Sequence, residues 1–167
     1  MTDTTSAPTP ETKRDTAGVI APPPLIYLGF LILGLALEFL VVRTQGLDMP
    51  VTLRWTVVAV FVLAGIAFIA AAALRFRRAG TPAPPWLPTT AFVVQGVYRF
   101  TRNPMYLGMT LIYCAIAVAA NAPVVFWMLV PLAVTIHYGV VLREERYMAG
   151  RFGGPYIDYA NRVPRWL

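Results

Sequence analysis

Four apolar runs, at about 25–42, 55–74, 104–120 and 123–142, each approach the ~20 residues that a helix needs to cross the hydrocarbon core of a bilayer. Backbone amides find no water there, and segments of this length and composition satisfy them only as helices. The expected fold is therefore all-α: a polytopic membrane helix bundle of about four transmembrane helices that ends in a cytoplasmic helical segment. Composition agrees, since 57% of the 167 residues are hydrophobic and only 13% are charged, against about 25% charged in soluble domains.

Residues 1–20 are polar, rich in Thr and Pro, and without an apolar face, so a disordered tail is expected. Lys13 and Arg14 precede a long apolar run with no small-residue cleavage pattern, and the first span reads as a retained anchor. Residues 21–167 are expected to form one membrane-embedded domain. Arg75, Arg77, Arg78, Arg99 and Arg102 lie between the second and third spans, and Arg143, Arg146, Arg151, Arg162 and Arg165 follow the fourth. Both groups belong in the cytoplasm by the positive-inside bias, which places both termini there. The net charge of +6 is then mostly topological, with membrane lipid headgroups as its counter-surface. No nucleic-acid partner is expected, because the basic residues flank spans and no nucleic-acid motif accompanies them. The single cysteine, Cys114, lies within the third span and reads as a packing residue.

Two polar clusters interrupt this pattern. The first is T-R-N-P-M-Y-L-G, Thr101 to Gly108, where a basic loop enters an apolar helix. Asn103 is a preferred N-cap and, as the residue before a proline, avoids the α region; Pro104 suits the first helical position. The third span is therefore expected to start at Pro104, with free N–H groups and a positive dipole end suited to a carboxylate or phosphate. Gly108, one turn in, admits a ligand or another helix close to the backbone. Upstream, the prolines of 79–88 should run extended, with Trp86 at headgroup depth, and a turn or two of helix in 90–101 would bring Tyr98 and Arg102 to one side.

The second cluster starts with R-E-E-R, Arg143 to Arg146. Adjacent Glu144 and Glu145 sit about 100° apart on a helix, so one is expected to meet a ligand while the other pairs with an arginine such as Arg151. Gly153 should stop that helix and Pro155 restart a short one whose Tyr156 and Tyr159 share a face. An amphipathic tail on the membrane, anchored by Trp166, is the expected role of Tyr159 and Trp166.

G-V-Y-R-F-T-R-N-P-M-Y-L-G from Gly96 to Gly108, followed by E-E-R-Y-M and by Y-I-D-Y-A-N-R-V-P, resembles the isoprenylcysteine carboxyl methyltransferase family and its phospholipid methyltransferase relatives. The resemblance covers roughly 75–167 and implies a membrane-embedded methyltransferase that holds S-adenosylmethionine in a cytoplasm-facing pocket roofed by the C-terminal segment. It places Tyr98, Arg102, Asn103, Pro104, Tyr106, Leu107, Gly108, Glu144 and Glu145 at cofactor-pocket positions; Arg143 and Glu145 are the expected catalytic residues. Asn103 stands where eukaryotic carboxyl methyltransferases of the family have histidine, and N-P-M-Y is closer to phospholipid N-methyltransferases. The methyl acceptor is a lipophilic or small molecule: a prenylcysteine-like carboxylate, a phospholipid amine or a thiol.

The side chains suit this cofactor. Carboxylates answer its ribose hydroxyls or cationic groups, an aromatic face its sulfonium, and an arginine with a helix N-terminus its carboxylate. No glycine-rich nucleotide loop follows a strand, which excludes a Rossmann-type methyltransferase domain. Two alternatives remain: an NADPH-dependent membrane reductase of the sterol reductase type, which shares part of this C-terminal layout, and a non-catalytic membrane scaffold. Glu38, within the first span, is expected near the far interface beside Arg43 and outside the site. His137 is expected to be a hydrogen-bonded bundle residue, with Pro131 kinking the fourth span.

Overall fold

The computed structural model describes residues 16–82, 84 and 87–167. Residues 1–15, which make up most of the expected tail, and Trp86 lie outside them. The described residues are helical or irregular and contain no strand. Helix α1 (Pro23–Ala36) opens on prolines at its first turn, where their missing N–H costs nothing, and continues into a π-helical turn, Leu37–Val42. Helix α2 is Val51–Arg78 and α3 is Pro104–Ala119. A short α4 (Pro123–Trp127) and α5 (Leu129–Ile136) then run through a π-helical turn, His137–Val141, into α6 (Leu142–Phe152). Helix α7, Gly154–Arg162, follows.

Among the described residues three stretches are long and apolar enough to cross a membrane: Pro23–Val42, Val51–Arg78 and Pro123–Phe152, of 20, 28 and 30 residues. The third apolar run forms the shorter α3, whose 16 residues rise only about 24 Å. Asn103–Pro104 starts it as the sequence requires, and Asn121, in the left-handed region at φ 55°, ends it. Pro131 has no N–H for the carbonyl one turn earlier, and the helical path is broken just upstream, at Met128, between α4 and α5.

Helices α2 and α3 form the closest pair. A Cβ on Gly108 would lie 2.7 Å from the Gly65 carbonyl oxygen, and one on Gly65 would lie 2.8 Å from that of Gly108. The two backbones touch because neither residue has a side chain, the small-residue contact that draws helices together without hydrophobic driving force. Helix α1 is tied to α3 by Tyr27, whose hydroxyl donates to the Tyr106 carbonyl (3.1 Å) and bonds Thr110 Oγ1 (2.9 Å).

At the far end of the bundle Glu38 is 2% exposed and accepts from the Thr44 and Val124 amides (3.0 and 2.9 Å) and from the Thr44 hydroxyl. Its carboxylate satisfies the start of α4 rather than snorkelling toward Arg43. The chain before α1 is attached as well: the Ile20 amide donates to the Gly139 carbonyl (3.1 Å), and Arg143 donates to that of Gly18 (2.9 Å).

Candidate active site

At the opposite end from Glu38, the start of α3, the inner face of α6 and the C-terminal segment converge. Thr101, fully buried, and Asn103 both donate to the Arg165 carbonyl, at 3.1 and 2.9 Å, while the Arg102 amide donates to that of Pro164 at 3.0 Å. Three consecutive residues before α3 thus hold the backbone of the tail. Asn103 occupies the N-cap position but makes no side-chain cap; its amide group is turned to the tail instead.

The side chains complete the join. Arg165 donates to Glu145 through two nitrogens, both at 2.8 Å, and Arg102 meets the same carboxylate at 2.9 Å. With Arg102 and Glu145 only 13% and 18% exposed, one acid links two arginines 63 positions apart in charge-assisted contacts stronger than surface pairs. The Tyr159 hydroxyl adds a bond to the Tyr98 carbonyl at 2.8 Å.

Beneath this roof lies a cavity of about 120 Å³, room for several waters. Glu144 and Glu145 border it together with Arg102, Tyr98, Tyr106, Asn103 and Pro104. The Tyr106 hydroxyl donates to Glu144. Phe92 supplies an apolar wall, stacked on Phe152 at 5.4 Å and edge-on to Tyr156 and Tyr159.

Burial pushes the Tyr98 phenol well above its usual range, and the nearby Glu144 carboxylate adds to the shift. Tyr156 is raised by burial and by Glu145 against the pull of Arg102, and Tyr159 by burial in spite of Arg102. These three hydroxyls stay protonated at neutral pH, and that of Tyr159 is already committed to the Tyr98 carbonyl. Arg165 is raised by its bond to Glu145, so the clasp keeps its charge.

Seven of the nine expected cofactor-pocket residues border this cavity: Tyr98, Arg102, Asn103, Pro104, Tyr106, Glu144 and Glu145. Leu107 and Gly108 do not. Gly108 faces α2, its missing side chain making room for Gly65 and Ile69 rather than for a ligand. Arg143 is also outside, bonded to Gly18 and bordering a second cleft.

The expectation that the two glutamates could not share a pocket is corrected: both border the cavity, Glu144 bonded to Tyr106 of α3, and Glu145 paired with arginines, Arg102 and Arg165. Arg151 is not the glutamate's partner. Six residues beyond Glu145, it lies about 120° around the helix and sits 6.0 Å from the Tyr147 ring. The turn of helix expected in 90–101 is a single 3-10 turn, Gly96–Arg99. Tyr159 is a wall of the cavity, and Trp166 packs against the hydrophobic core instead of anchoring a free tail. His137 meets Tyr138 edge-on and is not among the residues around the cavity.

Sequence reasoning missed Phe92, Met105, Tyr147 and Met148 as lining residues. The signal was present for Tyr156 and Tyr159 in their shared face, although a membrane-facing role was expected of Tyr159. For Phe92, alone in a loop without periodicity, there was none.

Fold and site define an integral membrane helix bundle that closes a charged, aromatic-walled cavity at one end of its spans. A phospholipid methyltransferase family model matches residues 53–154, more than half of the chain, and the protein belongs to that family. The match takes in α2, which the sequence motifs did not reach, and stops short of the C-terminal roof. Comparison with curated proteins and with solved structures found no match.

Proposed function

We propose that the protein is a membrane methyltransferase that binds S-adenosylmethionine in this cavity and methylates a lipophilic acceptor reaching it from the bilayer. The observation that carries the reading is the three-way join of Arg102, Glu145 and Arg165, which folds the tail over a cavity supplied with both signs of charge. The residues present suit the cofactor. Arg102 Nε is buried without a hydrogen-bond partner, a donor free for a carboxylate; Glu144 offers an acceptor for hydroxyl or ammonium groups; and Tyr98 and Phe92 offer aromatic faces for a sulfonium. When bound, the cofactor supplies an electrophilic methyl group.

The protein's own part is to orient the reactants and exclude water. Family membership favours a phospholipid amine as acceptor, and an ammonium must lose a proton before it can attack. Glu145 is occupied by two arginines. Glu144, held only by Tyr106 among its described contacts, is the carboxylate placed to take that proton. Arg143, outside the cavity, has no direct part in this scheme. The arginine distribution supports a cytoplasmic position for the cavity.

Calorimetric titration of the detergent-purified protein with S-adenosylhomocysteine is expected to show saturable binding that Arg102→Ala weakens by tenfold or more. Heat indistinguishable from dilution, with the fold intact, removes the proposal. NADPH in a parallel titration should bind no better than buffer.

A further inference from the structure

Helix α6 carries two chemistries on two faces. At about 100° per residue, Glu144, Glu145 and Met148 fall on the side that borders the cavity. Arg143, Arg146 and Gly150 fall on the other; together with Arg151, further along the helix, and with 16–18 and Thr90 they border a separate, open cleft of about 840 Å³. Among its described lining residues there are three arginines and no carboxylate. Arg143 Nε is buried without a hydrogen-bond partner, although the same guanidinium is held by the Gly18 carbonyl. Arg146 and Arg151 are exposed. Concentrated positive charge, one immobilised guanidinium with an unused donor, and backbone from 16–18 along the wall together describe a receptor for an oxyanion.

Depth restricts its nature. The arginines sit at the end of the long span Pro123–Phe152, where apolar helix gives way to charge and where lipid phosphates reside. We propose that this cleft binds a phosphate ester, either a lipid headgroup or a soluble phosphate, as a site distinct from the cavity. The assignment does not depend on the methyl-transfer reading. Ala17 and Tyr147 border both spaces, so an occupant of one contacts walls of the other.

The test uses the full chain in non-ionic detergent and follows thermal unfolding by tryptophan fluorescence during titration with dioctanoyl phosphatidic acid, dioctanoylglycerol or inorganic phosphate. The phosphatidic acid is expected to raise the midpoint saturably and the uncharged diacylglycerol to leave it unchanged. Arg146→Gln with Arg151→Gln should raise the half-saturating concentration about tenfold or more. Each single variant should raise it by less, and each exposed side chain can be replaced without touching the core. Arg77→Gln, at the exposed end of α2, should have no effect. An equal response to inorganic phosphate, lost in the same double variant, keeps the site and assigns a soluble ligand. The proposal is overturned by no saturable response to either phosphate compound, by an unchanged response in the double variant, or by an equal loss in Arg77→Gln.

Discussion

Glu144 and Glu145 are neighbours with the same side chain, and their surroundings give them different work. Glu145 holds Arg102 and Arg165, so Glu145→Ala leaves two half-buried guanidiniums unpaired. It is expected to lower stability by about 1–3 kcal/mol, seen in chemical unfolding, and to weaken S-adenosylhomocysteine binding with it. Glu144→Gln keeps a partner for Tyr106 while losing the base. With an amine acceptor kcat should fall by about 10²–10⁴ while cofactor affinity changes little; equal losses in both would assign Glu144 to binding alone. The phenols of Tyr98, Tyr156 and Tyr159 are all raised, so above the ordinary tyrosine value of about 10 the folded state retains protons that the unfolded state releases. Their contribution to stability is complete below that pH and declines as pH rises beyond it. Tyr→Phe at any of the three should remove absorbance at 295 nm from the late part of an alkaline titration, not from the part near pH 10.

Element boundaries were legible where backbone chemistry is local. Asn103–Pro104 before an apolar run suits a helix start, and Phe152–Gly153–Gly154–Pro155 ends one helix and begins the next; both hold in the structure. What a boundary residue faces depends on the neighbouring element, and that was not legible. Gly108 left room for a ligand or for another helix, and α2 fills it. Gly108→Ala drives a methyl into the Gly65 carbonyl and is expected to cost about 1–3 kcal/mol. Cofactor affinity per folded molecule, measured by titration after correction for active fraction, should stay unchanged. A selective loss of affinity would return Gly108 to the site. Arg151 failed as a partner for the same kind of reason, since helical phase turned it to the arginine cleft and left the acid to Arg165, across the turn at Gly153.

For the whole molecule, membrane class and all-helical fold followed from the length and composition of the apolar runs, because a bilayer leaves few choices. The cavity did not, since its walls come from segments as distant as Phe76, Phe92 and Tyr159, which no periodicity connects. A chain ending at Val163 loses the carbonyls that Thr101, Arg102 and Asn103 use, together with the Arg165 clasp. Its circular dichroism should remain helical while saturable binding of S-adenosylhomocysteine disappears; retained binding would show that the roof is dispensable.

The same roof sets an order of assembly. Pro164 and Arg165 lie beyond the last described membrane helix, so the chamber closes only when this segment docks on the start of α3. A protein whose helices are in place but whose last residues have not docked therefore has its topology but no enclosed chemistry.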